Sequence, residues 1–162
     1  MRIPTLPLAR SVSLLFAMAV IFSACGEGST APNTDETGLT VADLVGSWKA
    51  SSLVFTNNAN STQQFDVVAS GGELRTTILT DGRARTWLTV GDFSDEWDAL
   101  LTLNGDQLTS TPAEATRPTQ RWTVTMVGNQ ITLTRSDGEF DFNLSGADPV
   151  PASERVVLVP NV

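Results

Sequence analysis

The chain has 162 residues and a formal net charge of −8, with one Cys and neither His nor Tyr. The missing imidazole removes the commonest general base and metal ligand, and a lone cysteine makes no intramolecular disulfide and no Cys/His zinc site. So acidic a chain is not drawn to phosphate backbones, which argues against nucleic acid as a partner, and it is repelled by an anionic membrane surface.

The first 24 residues differ in kind from the rest. Arg2 and Arg10 are their only charges, and an apolar run follows from Val12 to Phe22. That length fits the h-region of an export signal and falls short of the ~20 apolar residues that span a bilayer. The run ends in Phe22-Ser23-Ala24-Cys25-Gly26, with small residues just before the cysteine.

This segment resembles the lipobox of bacterial lipoproteins, whose cysteine receives a diacylglyceryl group before cleavage on its N-terminal side. Ser23 and Ala24 match the family pattern, while Phe22 stands where Leu is usual. The resemblance implies that residues 1–24 are a signal peptide. It also implies that Cys25 carries the lipid anchor, including a fatty chain such as palmitate, and contacts the membrane through it. Each buried CH₂ contributes ~0.8 kcal/mol to such an anchor. Gly26, where an Asp would mark retention, implies the outer membrane in an organism with two membranes. Loss of the signal removes two Arg and no acid, leaving eight basic and 18 acidic residues, a side-chain charge of −10.

Residues 25–39 read as the lipidated cysteine and a tether. They are small, polar and acidic, and as a flexible coil they would span roughly 20 Å. From residue 40 to 162 the pattern is that of one all-β domain. Thr40 to Val45 reads as a short helical turn with Thr40 as N-cap and Asp43 in its first turn, stopped by Gly46. Turn residues then recur every eight to twelve positions between Thr- and Val-rich runs, as in a small antiparallel sandwich or barrel.

Strands are predicted near 47–57, 64–70, 73–80, 83–90, 96–104, 107–111, 120–127, 130–136, 138–144 and 154–159. Gly71-Gly72, Asp81-Gly82, Gly128-Asn129 and Asp137-Gly138 read as two-residue hairpin turns, and Asn104-Gly105-Asp106 as a slightly longer one. Hairpin links make the topology mostly up-and-down and antiparallel. Trp97, Ala99, Leu101 and Leu103 share one parity, as do Trp122, Val124 and Met126, Ile131 and Leu133, and Phe140, Phe142 and Leu144, so each such strand should bury one face. Pro149 and Pro151 predict that 147–152 is a loop.

Leu44-Val45-Gly46-Ser47-Trp48, a turn running into Gly-x-Trp on the first strand, resembles the start of lipocalins and their bacterial relatives. The resemblance implies a closed up-and-down barrel in which Gly46 and Trp48 close one end, with the Trp packed beneath the floor. Lipocalins usually lay an Arg from the last strand over that Trp, and Arg155 is the nearest candidate. The long helix that follows the barrel in that family has no counterpart before Val162.

Trp87, Trp97 and Trp122, with Phe140 and Phe142, either fill the core or line a cavity for an apolar ligand. Arg83 and Arg85 share the parity of Trp87, so that wall is the candidate for an anionic head group. Arg85, Trp87, Trp97 and Trp122 are therefore the candidate ligand-binding residues. The acids Asp92, Asp95, Glu96 and Asp98 could bridge calcium but read more simply as a solvated hairpin. Asp141-x-Asn143-x-Ser145 begins like a calcium loop but has Ala152 at its twelfth position instead of Glu. No spacing singles out a carboxylate pair, so no catalytic residue, cofactor or metal is expected, and no enzyme. The leading expectation is an anchored lipocalin-like barrel that binds or shields a small apolar or amphipathic ligand at the cell envelope. The alternative is a solid-core scaffold or interaction module that recognises a protein partner the sequence does not identify.

Overall fold

The computed structural model describes residues 38–145 and 148–162. The expected signal peptide, Cys25 and the expected tether through residue 37 lie outside the described residues. Nine strands follow a 3₁₀ turn at Val41–Leu44: β1 Gly46–Asn57, β2 Asn60–Asp66, β3 Glu73–Ile78, β4 Arg83–Val90, β5 Phe93–Asn104, β6 Gln107–Pro112, β7 Gln120–Val127, β8 Gln130–Phe140 and β9 Val150–Pro160. All pairings are antiparallel, β3 through β9 run up-and-down, and β9 returns to β1 along most of its length. The sheet is thus a closed eight-stranded barrel, consistent with a lipocalin-like fold. Closure gives β1 and β3 through β9 partners on both sides, while β2 pairs with β1 alone.

The eighth position is filled by two strands in series. The upper part of β1 (Val54–Asn57) pairs with β2, and its lower part (Gly46–Lys49) pairs with β3. The segment Val67–Gly72 bulges out between them. Asp66 organises this excursion by accepting hydrogen bonds from the Val68 and Ala69 amides at 2.9 and 3.1 Å and from the Ser52 hydroxyl at 3.1 Å. Val67 turns back into the core, so Gly71-Gly72 belongs to an insertion within one strand path and is not a hairpin. Gly72 is needed for space. A Cβ there would lie 2.5 Å from Cγ1 of Val67 and 2.6 Å from the Thr89 carbonyl oxygen.

Three further sequence expectations give way. Asp137-Gly138 makes no hairpin, because residues 130–140 are one strand whose register to β9 shifts between Arg135 and Gly138. Residues 150–152 are strand as well. Pro151 lies opposite Glu139 in the first residues of β9, a strand-start position where proline is tolerated, and its carbonyl accepts the Asn58 amide at 3.1 Å. The expected strand over 138–144 stops at Phe140, after which Asp141 folds its side chain onto the Asn143 amide at 2.9 Å.

One end of the barrel is shut by the 3₁₀ turn. Asp43 accepts hydrogen bonds from the Thr40 amide at 2.8 Å and its hydroxyl at 2.7 Å, the cap expected from those two residue types. Leu44 is buried at the bottom of the core. Its carbonyl accepts the Trp48 indole N–H at 2.8 Å, which pins the turn under the first strand. Gly46 sits between them at φ 149°, where a side chain would be strained, and a Cβ would meet the Trp48 ring at 3.5 Å. Arg155 does not lie over this Trp. It is exposed on the outer face, beside Val54 and Thr134, whereas Trp48 pairs with Pro160 at the far end of β9.

Candidate ligand cavity

Strand parity decides what faces the lumen. Leu74, Thr76 and Ile78 of β3, Ala84, Thr86 and Leu88 of β4, and Ala99 and Leu101 of β5 all line the interior. So do Trp122 of β7, Ile131 and Leu133 of β8, and Val156 and Leu158 of β9. These side chains do not meet at the centre. They enclose a partly open cavity of about 340 Å³, lined by Leu44 of the 3₁₀ turn at one end and by Arg117 and Pro118 of the β6–β7 connection at the other, within the size range of small-molecule sites.

The floor and lower walls are aliphatic, with Leu44, Leu53, Ile78, Leu101, Leu108 and Ile131 the main contributors. Thr76 and Thr86 share a hydrogen bond at 3.1 Å across β3 and β4, so these hydroxyls are satisfied. Toward the mouth the wall becomes charged, with Asp95, Arg117, Arg135, Glu139 and Glu154 all on the lining.

Those charges are organised on the two lumen Trp rings. The Arg135 guanidinium lies 4.7 Å from the Trp122 centroid and donates from Nε and Nη2 to one Glu154 oxygen, at 2.8 and 2.7 Å. The Arg117 guanidinium lies 5.1 Å from the Trp97 centroid and donates from Nη2 to Asp95 at 2.6 Å and from Nε to Glu114 at 3.2 Å. Glu154 is 7% exposed. Its burial pushes the carboxyl above the usual carboxylate range, and Arg135 only partly offsets that. Asp95 behaves oppositely, since the Arg117 hydrogen bond holds its carboxyl below the usual range against its partial burial.

Of the four candidate residues, Trp97 and Trp122 line the cavity and Arg85 and Trp87 do not. On β4 it is Ala84, Thr86 and Leu88 that point inward. Trp87 is 37% exposed on the outside, with the Arg85 guanidinium 5.5 Å from its ring and Arg85 itself paired to Glu96. The polar wall of the lumen is formed instead by Arg117, Arg135 and their acids. Arg135 and Glu154 had a readable signal, because each sits on the apolar parity of its strand, after Ile131 and Leu133 and before Val156 and Leu158. Arg117 had none, since it lies in the loop between two prolines.

The acidic cluster is split between faces. Asp95 points to the lumen, while Glu96 and Asp98 lie outside beside Arg85. Among the described residues no group of three or more acids or thiols is arranged to hold a metal. Phe140 stacks on Phe55 at 4.2 Å and Phe65 at 5.2 Å, with Phe142 edge-on at 5.1 Å, and these rings build the rim over β1 and β2. No protein-family model, no curated protein and no solved structure matches this chain.

Proposed function

We propose that this barrel binds a small apolar or amphipathic molecule in its lumen, and that it does so at a bacterial cell envelope, held to the membrane by lipid on Cys25. The observation that carries the proposal is the cavity of about 340 Å³, apolar beside the 3₁₀ turn and charged toward the β6–β7 connection. An amphipathic guest matches that gradient, with its body among Leu53, Ile78 and Leu101 and its polar group among the mouth residues. Apolar contact supplies ~25 cal/mol per Å² removed from water, and the polar groups fix orientation. A solid-core interaction module, the alternative, needs a filled interior, and the cavity speaks against it.

The lipid anchor is supported by the run from Val12 to Cys25 and by the absence of any other cysteine. Two experiments test the two halves. Trp fluorescence of the domain is expected to change saturably with short-chain amphiphiles, and no change with any of them would remove the binding function. Cells making the full chain are expected to incorporate labelled palmitate, and the C25S chain is expected to lose the label. A C25S chain labelled as strongly as the parent would remove the anchor.

A further inference from the structure

The two Trp rings of the lumen each hold a guanidinium against a carboxylate, but the two arrangements differ in how the cation is delivered. Arg135 belongs to β8 and its carboxylate partner Glu154 to the neighbouring strand β9, paired residue to residue. Arg117 comes from the connection between β6 and β7, which is tied by the Ala113 amide to the Asp98 carbonyl at 2.9 Å and by the Arg117 amide to the Glu114 carbonyl at 3.1 Å. No strand ladder has to break for the Arg117 side chain to leave the mouth.

We infer that the lumen ligand carries an organic cation, an ammonium or quaternary ammonium, on an apolar body, and that Asp95 and Trp97 receive this cation in the place Arg117 holds. The inference rests on the lumen being the binding site. Its geometric basis is that Arg117 already satisfies what such a cation needs, a ring face at 5.1 Å and a carboxylate oxygen at 2.6 Å. The site is complete and self-occupied.

Charge points the same way. The lining carries three carboxyl groups, Asp95, Glu139 and Glu154, against two Arg, so even with Glu154 protonated it holds no excess of positive charge. The two lining Arg already donate to Asp95, Glu114 and Glu154. An anionic head group would have to displace those carboxylates and face Glu139 as well. A cation is instead drawn by carboxylate charge and by the Trp97 face, and an ammonium with N–H groups can also donate to the free carboxylate lone pairs. The net charge of −8 for the whole chain adds a field that concentrates cations at the mouth.

The test uses three probes of one chain length, octyltrimethylammonium, 1-octanol and octanoate. They are titrated by calorimetry into the chain from residue 25 with Cys25→Ser. Every described strand and the described core lie within residues 38–162, and circular dichroism checks the fold of each variant. The ammonium probe is expected to bind tightest and octanoate weakest, with the ammonium affinity falling as salt is added. R117Q removes the internal competitor and is expected to tighten the ammonium probe by about threefold to tenfold, while D95N weakens it by a similar factor. E73Q, on the outer surface, should change nothing.

Tighter binding of octanoate, or an R117Q variant that binds the ammonium no better than the parent, overturns the cation assignment. Equal affinity for all three probes overturns it too but leaves the lumen as an apolar site. Failure of all three to bind removes the lumen reading itself.

Discussion

Glu154 and Arg135 meet on the lumen wall through a single carboxylate oxygen, which accepts both the Nε and the Nη2 protons of the guanidinium at 2.8 and 2.7 Å. The pair sits among Phe55, Trp122 and Val156, and burial outweighs the attraction of Arg135 in setting the carboxyl's proton affinity. A carboxyl raised in the folded state binds its proton more tightly there than when unfolded. Between the unfolded pKa near 4.5 and the raised folded value, the native state therefore holds more protons, and stability falls as pH rises through that window. Relative to E154Q, the parent is expected to gain stability as pH is lowered from 7 toward 5. Urea midpoints measured at several pH values check this, and a parent that loses ground to E154Q over that range contradicts it.

The Asp66 carboxylate is the hub of the excursion that splits the eighth strand position. Burial alone would raise its proton affinity, but hydrogen bonds from Ala69, Ser52, Leu53 and Val68 outweigh that and hold it below the usual range. Here the sign is reversed. The contribution is present above the unfolded pKa near 3.8 and is lost as pH falls through the lowered folded value. D66A leaves the Val68 and Ala69 amides without their acceptor and is expected to cost about 1–3 kcal/mol in urea unfolding at pH 7. The cost should shrink in strongly acidic solution, where the parent has lost the same contribution. A pH-independent difference would show that the carboxylate charge is not what organises the turn.

Gly72 tolerates no side chain. G72A places a methyl against Val67 and the Thr89 carbonyl, both closer than 3 Å, and is expected to destabilise by about 2–3 kcal/mol through forced backbone shifts. Gly71, where a Cβ would meet nothing within 4 Å, is the contrast. G71A should cost less, only what its φ of 87° imposes. Equal losses at the two positions would contradict the packing argument.

Trp48 supports the floor by one hydrogen bond as well as by its bulk. W48F keeps the aromatic body and removes the donor to the Leu44 carbonyl, at an expected cost of about 1–3 kcal/mol. Amide exchange should quicken first at residues 41–45, since the 3₁₀ turn has few other ties to the barrel. Unchanged exchange there would mean that Leu44 burial alone holds the turn.

Much of the barrel could be read from the chain because its hairpin strands alternate cleanly. β5, β7 and the first part of β8 show their inward residues at a glance, with Trp97, Leu101, Trp122, Val124, Ile131 and Leu133 all on the apolar parity. The sequence is ambiguous where both parities mix. β4 reads Arg-Ala-Arg-Thr-Trp-Leu-Thr-Val, and the bulk of Trp87 suggested the wrong face, although the smaller Ala84 and Leu88 are the ones inside. Bulges were illegible for a different reason. A bulge and a hairpin use the same Asp-Gly dipeptide, and only the register of β9 distinguishes them. The mouth was half legible, since Arg135 and Glu154 break an apolar pattern, whereas the meeting of Arg117 with Trp97 depends on how the loop folds over the opening.

The most direct test of the account is to fill the lumen and ask whether binding goes with it. Ala99 is buried on β5 and faces the cavity, so A99W should occupy the space a guest would use, while W87A alters only the outer wall. With an octyl amphiphile as probe, saturable binding is expected to the parent and to W87A, and none to a folded A99W. Undiminished binding to A99W, or binding abolished by W87A, would place the guest outside the barrel and contradict the central claim.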